Sequence, residues 1–117
     1  MKKIFTFFAT LLLMLVFARF DNVIAASAEE NYKWYCAQCH GAAGKGDGAN
    51  SKDLPVTPRN HTNPEDMKKL TDADIENVVK SGGAATSKST TMPPFGSTFS
   101  PDEIKEMVKH LRKLCKC

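Results

Sequence analysis

Cys36-Ala37-Gln38-Cys39-His40 decides how the rest of this chain is read. C-x-x-C-H is the pattern of covalent c-type haem attachment. Two thiols three residues apart on one helical turn reach the two vinyl groups on one edge of a porphyrin as thioethers. The next residue, His40, is then held beneath the iron, where its imidazole is an axial ligand. Two other readings compete. A dithiol redox motif expects a strand–helix context and no role for the histidine, whereas the surroundings here are helical and Gly-rich. Half of a zinc site wants a second Cys/His pair at a suitable spacing, and Cys115 and Cys117, with only Lys116 between them, fit that poorly.

A haem bound through His40 needs a second axial ligand downstream. Met92 is the candidate, in Thr91-Met92-Pro93-Pro94-Phe95-Gly96. Consecutive prolines fix a backbone that cannot continue a helix and so present the thioether from a rigid loop. A methionine more often fills a core gap. That role suits Met107, on the apolar stripe of a helix, and Met67. Met92 has no helical face to pack on. His61, in a loop, and His110, on a helix as an exposed or half-buried residue, are the rival ligands, His61 the more serious.

The N-terminal part reads as an export signal. Lys2 and Lys3 precede a run from Ile4 to Phe20 in which only Thr6, Thr10 and Arg19 are not apolar, and Ala25-Ala26-Ser27-Ala28 follows. A basic start, an apolar middle and a small-residue cleavage site make a secretory signal. Residues 1–28 are expected to be removed, with the cut after Ala25 or after Ala28. An uncleaved anchor fits less well, because the apolar run is shorter than the roughly 20 residues a spanning helix needs. The 117-residue chain carries 16 Lys+Arg, 13 Asp+Glu and a net charge of +3. Lys2, Lys3, Arg19 and Asp21 leave with the signal, so the mature domain has charge +1, too little for a nucleic-acid surface. Small exported domains commonly carry a disulfide, metal or cofactor as a staple.

Hydrophobic periodicity predicts helices and no strand of any length, hence an all-α fold. Helix one is expected from about Ala28 to Cys39, with Tyr32, Trp34 and Tyr35 as packing surface. Gly41, Gly44, Gly46 and Gly48 let the backbone turn close to the haem edge; no Gly-Lys-Ser/Thr ending is present to make them a phosphate loop. Asn63-Pro64-Glu65-Asp66 is a helix start reaching about Leu70. Thr71-Asp72-Ala73-Asp74 opens another helix, with Ile75, Val78 and Val79 on one face and Gly82-Gly83 ending it. Ala84–Thr91 is expected as a surface loop. Ser100-Pro101-Asp102-Glu103 has the form of a capping box, followed by Ile104, Met107, Val108, Leu111 and Leu114 at helical spacing in a helix expected to pack across helix one.

From about Asn31 to Leu114 the chain resembles the class I c-type cytochromes in their small bacterial exported form. The resemblance rests on Tyr32–Gly41, on Gly44-Lys45-Gly46-Asp47-Gly48, and on Met92-Pro93-Pro94-Phe95-Gly96 followed by Phe99–Ile104. It implies a cytochrome c-like fold of three to five short helices around one covalently bound haem c, spanning residues 29–114. Cys36 and Cys39 would form the thioethers, with His40 and Met92 as axial ligands. It also implies that Tyr32 meets the last helix and that a carbonyl after the glycine loop accepts the free N–H of the axial histidine. The usual exposed haem edge lies near the thioethers, where Ala37, Gln38, Ala42 and Ala43 are small or neutral. Arg59 is a candidate propionate partner.

These readings make the chain a one-electron carrier between redox protein partners outside the cytoplasm, periplasmic or otherwise exported, rather than an enzyme. Two alternatives stay open: a haem-bearing subunit of a larger oxidoreductase, and a ligand-binding haem that senses gas or catalyses. A charge of +1 implies weak electrostatic steering; Lys68, Lys69, Lys105, Lys109, Arg112 and Lys113 read as solvated helical faces ahead of a locally basic docking face. The 115–117 tail, Cys-Lys-Cys, departs from the family's ending. A bridge between its cysteines would close a tight, strained ring; a disulfide-linked partner or dimer, a terminal attachment and free thiols stay open, with oxidation favoured in an exported protein.

Overall fold

The computed structural model describes residues 25–117; the expected signal's basic start and apolar run lie outside them. The described residues contain helices and turns and no strand, so the all-α expectation holds.

The first helix forms in three consecutive pieces: α1 (Ala28–Asn31), a π-helical turn (Tyr32–Cys36) and α2 (Ala37–His40). Ser27 starts it with a closed capping box, its hydroxyl accepting from the Glu30 amide while the Glu30 carboxylate accepts from the Ser27 amide. The wider turn differs from the expected plain α-helix. In it the Ala37 amide reaches back to the Tyr32 carbonyl, and such insertions occur mostly at functional sites. They have no composition signature, which is why the sequence does not reveal this one.

A glycine-rich loop and a short 3₁₀ turn (Ser51–Asp53) lead to α3 (Pro64–Met67). Asn63 caps α3 and Pro64 opens it. It ends at Met67 instead of Leu70, the remaining residues forming turns. Helix α4 (Asp72–Ala85) begins with a Thr71–Asp74 capping box. Gly82 breaks the regular helix as expected, with non-helical φ 78° and ψ 171°, and a single further turn follows the kink to Ala85.

Helix α5 (Pro101–Cys115) has the expected Ser100–Glu103 box and buries Ile104, Met107, Val108, Leu111 and Cys115 along one stripe. It packs against both α1 and α4. Tyr32 meets it as the resemblance implied, its ring 5.0 Å from that of His110, and Asn31 donates to Glu103 at 3.4 Å. Met67 and Met107, each 1% exposed, fill the core as expected.

Arg112 ties α5 to the middle of the chain. Its guanidinium donates to the carbonyls of Met67 (2.9 Å) and Leu70 (2.6 Å) and to the Asp72 carboxylate (2.8 Å). The neighbouring cations fit solvated helical faces better than a basic patch: Lys68, Lys69 and Lys109 pair with Glu65, Asp66 and Glu106. The tail closes on itself. Cys115 and Cys117 form a disulfide with Cα atoms 5.2 Å apart, with Lys116 between them in the left-handed region (φ 53°). Both thiols are spent, so the expectation of a disulfide-linked partner finds no support.

Candidate haem site

A cavity of about 520 Å³ lies where the end of the first helix, the loop before α3, helix α4 and the Met92 loop converge. Cys36, Cys39, His40, Arg59, His61 and Met92 all contribute to its wall. The sequence candidates therefore come together in one place, from segments far apart in the chain.

His40 closes α2 and is half-buried. Its Nδ1 donates to the Arg59 carbonyl at 2.9 Å, which leaves Nε2 unprotonated and fit to bind a metal. Burial pushes its pKa down, opposed in part by that bond. The receiving carbonyl, which the resemblance implied without identifying, is thus Arg59's. A backbone acceptor carries no residue preference, so only the structure locates it. The Arg59 side chain is exposed at the cavity.

Cys36 and Cys39 are unpaired and half-buried. Burial, with a smaller contribution from Cys39, pushes the Cys36 thiol up to about 12. A redox dithiol needs an accessible thiolate of lowered pKa, so this environment disfavours that reading. The described residues contain no group of three or more His, Cys, Asp or Glu that could hold a metal ion, which removes the zinc reading.

Met92 is half-buried against the core. Its loop rests on the bend of α4: the Gly83 amide donates to the Met92 carbonyl at 3.0 Å. A Cβ on Gly82 would lie 2.9 Å from the Pro94 nitrogen and 3.0 Å from the Met92 carbonyl oxygen. The double glycine is therefore the seat of the methionine loop, a role beyond the helix stop assigned from sequence. Phe95 and Phe99 pack on Tyr35, with ring centroids at 6.1 and 5.2 Å, linking that loop to the first helix.

His61, the rival ligand, is buried and stacked on His40, with centroids 4.1 Å and planes 18° apart. Two imidazoles binding one iron from opposite faces stand end to end, not face to face. His61 therefore does not oppose His40. Burial, with His40 and Arg59 adding to it, pushes its pKa down to about 3. His110 is half-buried against Tyr32 and takes no part in the cavity wall.

The cavity fits a porphyrin by its donor set: two thiols at thioether spacing, an imidazole with its free nitrogen defined, a thioether on a rigid loop and apolar walls from Ile75, Val79 and Leu111. This donor set suits a haem attached along one edge.

Residues 24–111 match the protein family described as cytochrome c oxidase, cbb3-type, subunit III. Among solved structures, the KustC0563 c-type cytochrome is similar, with a TM-score of 0.62 and 24% sequence identity over 76% of this chain and 98% of that one. Comparison with curated proteins finds no match.

Proposed function

We infer that this chain, which belongs to the cytochrome c oxidase, cbb3-type, subunit III family and is a small c-type cytochrome working by haem-based electron transfer, is a soluble exported carrier with one haem c. The convergence of Cys36, Cys39, His40 and Met92 on one cavity carries this reading. When bound there, haem supplies reversible Fe(III)/Fe(II) exchange.

The chain's residues set the terms of that exchange. Cys36 and Cys39 would hold the porphyrin edge covalently. His40, oriented by the Arg59 carbonyl, and Met92, seated on Gly82-Gly83, would be the iron's two protein ligands and would leave no open site for substrate. Neutral thioether ligation favours the reduced iron relative to a second histidine, and the apolar cavity wall pushes the same way by excluding water. Arg59, exposed at the cavity, would pair with a propionate. Ala42, Ala43 and Gln38 are exposed beside the thioethers and suit a brief contact with a redox protein partner.

Export follows from the basic and apolar N-terminal run, and the Ser27–Glu30 box favours the cut after Ala25, which spares it. A second reading, a haem-bearing subunit docked in an oxidase complex, draws on the family's description.

Three measurements on the purified exported protein test the first reading. Mass spectrometry should give one added haem, and the oxidised spectrum a weak red-edge sulfur-to-iron band. The reduced protein should not bind carbon monoxide. Absence of added haem mass refutes the assignment, and carbon monoxide binding refutes the axial pair. Recovery only in a membrane oxidase assembly favours the second reading.

A further inference from the structure

His61 has no part in the attachment motif, yet it is one of only two buried polar side chains in the described structure. Its amide donates to the Gly44 carbonyl at 2.6 Å. Gly44 itself adopts a positive φ of 78°, and a Cβ there would lie 3.3 Å from that of His61 and 3.4 Å from the Tyr32 hydroxyl. The backbone is thus shaped to bring this imidazole against the first helix.

The hydrogen bonds define its tautomer. The Tyr32 hydroxyl donates to the Gly41 carbonyl at 3.2 Å. Its single proton is then spent, so at 3.2 Å from His61 Nδ1 the phenol oxygen accepts and the imidazole donates. Tyr32 is 3% exposed and packed on α5. His61 is consequently held on a rigid support, with one face against His40. His40 in turn has one anchor of its own, the Arg59 carbonyl, which fixes a nitrogen but leaves the ring free to pivot about that bond.

We propose that Tyr32 and His61 act together as a positioning unit for the axial ligand His40, the stacked ring setting the plane in which that imidazole meets the iron and shielding its face from water. This rests on the haem reading above and adds to it the residues that orient the ligand. His61 touches the ligand and not the metal, so it is a positioning residue. Packing alone would be served by any apolar side chain; a planar ring tied by a directed hydrogen bond also constrains rotation.

The haem-loaded protein with His61→Ala, His61→Phe and Tyr32→Phe tests this. The readings are the paramagnetic NMR shifts of the four haem methyls in the oxidised protein, which report the axial ligand's plane, and the reduction potential. His61→Ala should redistribute the methyl shifts and move the reduction equilibrium at least tenfold toward Fe(III), equal to 59 mV for one electron. His61→Phe, which restores a flat ring without the bond to Tyr32, should recover the potential but leave the methyl shifts displaced, as in Tyr32→Phe; full recovery of the methyl shifts would reduce His61 to packing and overturn the proposal. Tyr32→Phe should redistribute the methyl shifts by a smaller amount. Unchanged methyl shifts and potential in His61→Ala and Tyr32→Phe, even with stability lowered, overturn the proposal. If His61→Ala does not fold, Tyr32→Phe decides on the same readings. Failure of the haem reading is separate, because it appears in the unmodified protein as missing haem mass.

Discussion

His61 lies flat against His40, ring centroids 4.1 Å apart. This contact decides between the candidate axial ligands, because a side chain lying alongside His40 cannot bind from the other face. Met92, arriving from a different segment into the same cavity, is left as the opposing donor we propose.

Met92→Ala should leave the thioethers in place and remove the sixth ligand. The red-edge band disappears, carbon monoxide binds the reduced form, and the potential falls by at least 59 mV, a tenfold change in the one-electron equilibrium. A retained band would transfer the ligand role to another side chain.

Gly82→Ala should displace the same loop from below. The added methyl meets the Pro94 nitrogen and the Met92 carbonyl, and a φ of 78° disfavours any side chain. A loss of about 1–3 kcal/mol is expected in denaturant titration, accompanied by a weakened red-edge band. Unaltered ligation would mean that Gly82 serves the helix bend alone.

Arg112→Ala should cost about 3 kcal/mol, since the carbonyls of Met67 and Leu70 both lose a charged donor. In a domain of this size that lowers Tm by roughly 15 °C. Asp72→Ala should cost less than about 1 kcal/mol, because that carboxylate is 72% exposed. Equal losses for the two variants would place the stabilisation in the ion pair instead.

Stability should fall with acid through the helix starts. Hydrogen bonds from Ser27 and Ser100 hold Glu30 and Glu103 below their ordinary 4.5, and those from Thr71 hold Asp74 below 3.8. A carboxylate with a lowered folded pKa contributes stability above its unfolded pKa and loses it as pH falls through the folded one. Thermal melts from pH 6 to pH 3 should therefore decline, and less steeply in Glu103→Gln. Parallel declines would remove Glu103 from the effect.

The tail predicts no disulfide-linked dimer. Peptide mapping without reductant should recover Cys115 and Cys117 bridged within one peptide, and non-reducing electrophoresis of the wild type and of Cys115→Ser/Cys117→Ser should give equal mobility. A dimer band confined to the wild type would contradict the internal pairing.

Features whose cause is local were legible in the sequence. Cys36-Ala37-Gln38-Cys39-His40 carries its chemistry in adjacent residues, Asn63 and Ser100 announce helix starts, and the α5 stripe follows from spacing. Features made by distant contact were not. The Arg59 acceptor is a backbone atom with no residue signature, the π-helical turn has no composition cue, and the His61 stack depends on a loop path that Gly44 shapes. Gly82-Gly83 was read as a stop because glycine breaks helices, while its lack of side chains also serves a neighbouring loop. Arg112 resembled a solvated surface charge until its carbonyl partners were in place.

The three boxes at Ser27, Thr71 and Ser100 have a consequence for maturation. Each closes between residues only three apart in the sequence, so helix boundaries are written without help from any prosthetic group. Joining the porphyrin need not teach the polypeptide where to coil; it supplies the common centre around which segments already marked out converge.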